Sequence, residues 1–117
     1  MTRYSRLAAL CALVLGSATA YADIIPIRDA RVTRVLVTSD TTMGGCMAQL
    51  SVPVGAGCTG YWVTFSCTAD FADKDRAYRM FDMAQMAYTL GKRVTVFADN
   101  TKTHNGYCFA GRIDVYN

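Results

Sequence analysis

The sequence contains no glutamate, so all nine acidic side chains are aspartates, and its single histidine is His104. Those two shortages remove the parts from which most general acid–base centres and histidine-rich metal sites are assembled. Ser39, Ser51 and Ser66 could offer His104 a nucleophile, but nothing close in sequence orients the imidazole. No catalysis, cofactor or metal is therefore expected. Beyond the N-terminus, no apolar run approaches the length that crosses a bilayer, and membrane insertion is not expected.

What is present begins with an export signal. Arg3 and Arg6 precede an apolar run from Leu7 to Leu15, and Ala20-Tyr21-Ala22 supplies the small-residue cleavage pattern, giving a signal peptide over 1–22 and one domain over 23–117. Without the signal's two arginines, ten basic side chains face nine aspartates, a net charge of only +1. So small a charge does not draw the exported chain to nucleic acid or to an anionic membrane. Cys11 leaves with the signal, and Cys46, Cys58, Cys67 and Cys108 remain. An even set in an exported chain predicts two disulfides in an oxidising compartment, secreted or periplasmic. The wide cysteine spacing and the lone histidine do not fit a zinc centre.

Residues 23–30 read as a lead-in that Pro26 keeps out of any helix. Strand signals follow at Arg31–Thr38, Cys46–Val52 and Tyr61–Cys67, the last alternating with Tyr61, Val63, Phe65 and Cys67 on one face and Trp62, Thr64 and Ser66 on the other. The second and third strands should form an antiparallel hairpin. Two more strands are expected at Arg93–Ala98 and Cys108–Tyr116, joined by a polar loop over 99–107. Between strands three and four, Asp73 to Leu90 takes helical period, with Asp73 and Asp75 at the start and Gly91 as the stop. Ala77, Met80, Phe81, Ala84, Ala87 and Tyr88 share one face and read as core. Met83, Met86 and Leu90, beside Arg79, form a second apolar face that a monomer leaves in water unless a loop or the lead-in covers it, so a subunit interface is the favoured reading.

Three strands, one helix and two strands match a mainly β fold, the five-stranded OB-fold Greek-key barrel, with its helix between strands three and four. In that barrel the start of strand two lies by the end of strand three, and the starts of strands three and five lie side by side. The geometry predicts Cys46–Cys67 and Cys58–Cys108, although sequence alone permits two other pairings.

The passage Met80-Phe81-Asp82-Met83-Ala84-Gln85-Met86-Ala87-Tyr88-Thr89-Leu90-Gly91-Lys92-Arg93-Val94 resembles the helix-to-strand-four passage in B subunits of one-A, five-B bacterial toxins. The similarity is to the subtilase cytotoxin and typhoid toxin B subunits, through Asp82, Ala84, Tyr88, Gly91 and Val94, with Phe71 ahead of the helix. A looser similarity to cholera-type B subunits runs through Arg79, Met80, Ala87, Tyr88, Lys92, Val94, Asn100, Lys102, Thr103 and His104. Thr33 to Thr38 resembles the family's first strand, and Cys46 with Cys67 its hairpin disulfide.

The resemblance implies a secreted homo-oligomer, a pentameric ring of OB-folds with central helices and host-glycan pockets, serving a possible catalytic A subunit. It implies that Thr33 replaces a serine that contacts sialic acid, whereas a pocket tyrosine of that family falls at Ala98. Asn100 and Lys102 match polar sugar contacts of the cholera type, with Phe97 one position from the expected aromatic platform. Sugars pack apolar faces on aromatic rings and need fixed polar partners for their hydroxyls. Asp99, Asn100, Lys102, His104, Asn105 and Tyr107 offer such groups, and Trp62 a second platform. The alternative reading is a stand-alone periplasmic or secreted OB-fold protein that binds or inhibits a protein partner.

Overall fold

The computed structural model describes Gly16 and residues 23–117. The expected signal peptide, Gly16 apart, lies outside the described residues. The elements are β1 (Ile24–Val37), β2 (Cys46–Leu50), β3 (Trp62–Thr64), α1 (Lys74–Leu90), β4 (Arg93–His104) and β5 (Tyr107–Tyr116). Among the described residues the protein is mainly β, with one helix between β3 and β4. Among the described residues no helix is long and apolar enough to cross a membrane.

The lead-in expected over 23–30 is instead the first half of β1. Pro26 is tolerated there, opposite Phe97 of β4, because a strand requires no helical hydrogen bond from that position. At Asp29 the backbone turns to φ 51°, and the register against β4 shifts between Ile27 and Ala30. This break lets one long strand serve two neighbours: its first part pairs with β4, and its second, from Val32 to Val37, with β2. β2 runs antiparallel to β3, β3 lies parallel to β5, and β5 returns antiparallel to β4, so the sheet closes in the order β1-β2-β3-β5-β4.

The interior is filled by Leu50, Val54, Val63, Phe65, Val94 and Val96, and α1 lies over it with Ala77, Phe81, Ala84 and Ala87 turned inward. Phe65 and Phe81 meet at 6.3 Å between ring centroids. Asp73 caps the helix by accepting the Arg76 amide, and Gly91 closes it in the left-handed conformation at φ 64°. Tyr88, expected in the core stripe, is 51% exposed. Three alanines on the buried face bring the helix backbone close to the sheet and leave no depth beneath it for another large ring.

The alternation expected through Tyr61–Cys67 also ends early. Tyr61 is exposed, whereas Thr64 and Ser66 are fully buried. Hydrogen bonds offset their burial: the Thr64 hydroxyl donates to the Met43 carbonyl at 2.8 Å, and the Ser66 amide donates to Thr64 Oγ1. Gly44 fits against this pair because a Cβ at its φ of 80° would collide with Thr64 Oγ1 and the His104 ring.

The bridges are Cys46–Cys67 and Cys58–Cys108, with Cα separations of 5.7 and 5.4 Å. They follow from the pairings, which set the start of β2 beside the end of β3 and the starts of β3 and β5 side by side. Two disulfides suit an oxidising extracellular or periplasmic setting.

Candidate functional site

The polar loop expected over 99–107 is mostly strand. β4 continues to His104, and the reversal is a two-residue turn, Asn105-Gly106, with φ of 52° and 86°. Positive φ at both positions is what a tight hairpin with right-handed twist requires, and Asn-Gly is the pair that meets it at least strain. Asn105 therefore serves the turn.

Two irregularities interrupt this hairpin and shape a site between them. Going away from the turn, Thr103 pairs with Cys108 but Asp99 pairs with Phe109, so Asn100, Thr101 and Lys102 stand opposite no residue of β5. Farther along, Ala98 pairs with Ala110 and Phe97 with Arg112, so Gly111 is an extra residue on β5. Bulges of this kind bend a ladder and re-aim the side chains beside them. Here they open an outer concavity of about 390 Å³, lined by Ile24, Phe97, Asp99, Lys102, Phe109, Gly111 and Arg112.

Each wall of this concavity has a stated chemistry. Phe97 and Phe109 supply apolar surface. The Arg112 guanidinium lies over the Phe97 ring, 4.5 Å from its centroid, and Asp114 holds it there through Nε at 2.8 Å and Nη2 at 2.9 Å. The same carboxylate raises the Arg112 pKa above its ordinary value. Asp99 Oδ1 accepts both the Thr101 amide, at 2.9 Å, and the Thr101 hydroxyl, at 2.6 Å. The Thr101 hydroxyl is the largest influence holding the Asp99 carboxyl below its usual pKa; partial burial opposes it, and the Thr101 amide and the Lys102 charge reinforce it. Asp99 Oδ2 has no protein partner among the described residues, which leaves one acceptor free at the wall.

Other expected site residues lie elsewhere. Thr33 is on the β2 side of β1, where its hydroxyl donates to the Gln49 carbonyl and side-chain oxygen at 3.3 Å. Asn100 fastens the chain: its Oδ1 accepts the Asp23 amide and its Nδ2 donates to the Ala56 carbonyl. Trp62 and Tyr107 meet with Leu36, Met43 and Met47 around a smaller hollow of about 210 Å³, and Arg34 lies 5.8 Å from the Trp62 ring centroid. A third hollow, about 640 Å³, runs beside the start of α1 past Phe71, Arg76, Arg79 and Met80, and shares Phe109 and Gly111 with the first.

His104 does find neighbours that the sequence did not reveal. Ser66 Oγ lies 2.9 Å from Nε2, Asp70 Oδ2 lies 3.6 Å from the same nitrogen, and the ring packs against Phe71 at 4.8 Å between centroids. A nucleophile-activating line needs the carboxylate on the opposite ring nitrogen from the hydroxyl. With both on Nε2, and Ser66 fully buried while also accepting the Phe71 amide, the imidazole joins the β4 end to the segment entering α1.

Of the expected interface residues, Met83 is 37% exposed, Met86 42% and Leu90 60%, while Arg79 pairs with Asp75 at 3.0 Å on the same outward side. No protein-family model, curated protein or solved structure matches this chain.

Proposed function

We propose that this chain is an exported, disulfide-bonded OB-fold protein resembling a toxin B subunit, which forms a pentameric ring and binds host-surface glycans. The observation that carries the reading is the concavity between the two β4–β5 bulges, where aromatic surface, an ionised carboxylate with a free oxygen and a lysine converge. That combination suits a sugar, whose rings have an apolar face and a rim of hydroxyls. The strand order and the helix between β3 and β4 agree with the Greek-key barrel. The outward Met83, Met86 and Leu90 provide one of the two unlike patches that a cyclic assembly joins. Five weak pockets on one ring gain strength on a densely glycosylated surface by avidity. A catalytic A subunit seated on such a ring completes the proposal.

The test is light scattering on the oxidised, signal-free protein, followed by a glycan array. The expected result is five times the monomer mass and binding to a restricted set of glycans, lost in Asp99→Asn and Phe97→Ala. A monomer silent on the array that recovers one protein partner in a pull-down would overturn the reading in favour of a stand-alone protein-binding module.

A further inference from the structure

We propose that the pocket between the β4–β5 bulges is one end of a longer trough, and that its ligand is a chain of linked sugars whose next unit lies in the hollow beside the start of α1. The inference rests on the glycan-binding reading above and concerns how far along a glycan the protein reads. The two hollows, about 390 and about 640 Å³, share Phe109 and Gly111. Gly111 is the extra residue of the second bulge and is exposed where they meet. A Cβ there would lie 3.3 Å from the Phe109 ring, so a side chain at this position would press on the ring that both hollows share.

The apolar floor is continuous as well. Phe97 and Phe109 line the first hollow, Phe109 meets Phe71 at 5.6 Å between ring centroids, and Phe71 lines the second hollow with Met80. Linked pyranoses present apolar faces at successive positions, which suits a row of rings. Phe71 is fixed in place: its amide donates to Ser66 Oγ, and its ring packs on His104. The second wall is therefore set before a ligand arrives, which spares the cost of ordering it.

Polar groups stand at both ends of the floor. The first hollow has Asp99 and Lys102. In the second, Arg76 gives Nε to Asp73 at 3.3 Å and Arg79 gives Nε to Asp75 at 3.0 Å, which leaves the Nη groups of both as donors. Such donors meet the ring, glycosidic and hydroxyl oxygens that a further sugar adds. This hollow lies at the start of α1, whereas Met83, Met86 and Leu90 stand farther along the helix. A glycan and a neighbouring subunit would thus use different stretches of α1, with Arg79 at their border.

The experiment is a titration of the oxidised, signal-free protein, followed by amide shifts of Lys102 and Arg112 for the first hollow and of Ala72 and Arg76 for the second. The probes are methyl β-galactopyranoside and methyl α-mannopyranoside, with lacto-N-neotetraose and mannotetraose as their longer counterparts. A single sugar should move the first set alone, and its longer counterpart both sets, about tenfold more tightly. Arg76→Gln should shrink that ratio toward unity. Gly111→Val, which loads the shared ring, should weaken the longer chain more than the single sugar. A longer chain that leaves the second set unmoved, or that binds no more tightly than its single sugar, overturns the trough and leaves the glycan site standing. A ratio unchanged in Arg76→Gln overturns it too. If none of the four probes moves either set, any glycan retained on an array takes the place of the longer chains and its terminal sugar that of the single ones. With nothing retained, the glycan reading and this inference fail together.

Discussion

Asp99 shows how much of this site depends on one neighbour two residues away. Its carboxyl is held below the ordinary value chiefly by the Thr101 hydroxyl, with the Thr101 amide and Lys102 adding to the effect. A carboxyl more acidic in the folded state than in the unfolded chain adds stability at pH values above its unfolded pKa. That contribution is lost as the pH falls through the lower, folded value. In an NMR titration Asp99 should ionise at a lower pH than an ordinary aspartate in the wild type, and at a higher pH in Thr101→Val. Binding of glycans at this site should fade over the same acid range. A titration unchanged by Thr101→Val would mean that the hydroxyl contact at 2.6 Å is not what stabilises the carboxylate.

At the scale of elements, α1 was the most legible part of the sequence, because its stop and start are local chemistry. Asp73 accepts the Arg76 amide at 2.9 Å, and Gly91 supplies the left-handed residue that the last turn requires. Asp73→Ala should cost about 1 kcal/mol, read as a lower urea midpoint with an unchanged slope. The hairpin was less legible, although Asn105-Gly106 announces a two-residue turn. Pairing outward from that turn without interruption would set Lys102 opposite Phe109 and Asp99 opposite Arg112. The observed register departs from this at both bulges, and it is the departure that gathers Phe97, Asp99, Lys102, Phe109 and Arg112 into one hollow. Bulges depend on long-range pairing of β4 with β1 as well as β5, and residue order alone carries no signal for that. The same limit hid the first half of β1, which reads as a lead-in that Pro26 keeps out of a helix, because its pairing with β4, Pro26 opposite Phe97, joins segments far apart in the chain. It also hid the Ser66–His104 contact, which spans 38 residues.

For the whole molecule, closure of the sheet depends on its weakest member. β3 has three residues, Trp62–Thr64, and only Val63 and Thr64 align with β5. Such a short strand offers few ladder hydrogen bonds against the entropy of fixing a glycine-rich approach. The two disulfides bracket it: Cys58 precedes β3 and ties it to the start of β5, while Cys67 follows it and ties it to the start of β2. On chain-entropy grounds the bridges, which span 21 and 50 residues, are worth about 3 and about 4 kcal/mol. Replacing Cys58 and Cys108 together by alanine should therefore lower stability by up to about 4 kcal/mol. The loss should also be local in onset. Hydrogen exchange at Val63 and Thr64 should accelerate before exchange in α1 or along the β4–β5 pairing, because the sheet opens where its shortest strand has lost a tether. Uniform acceleration across all five strands would show instead that the closed sheet unfolds as one unit and that the bridge acts on the unfolded chain alone.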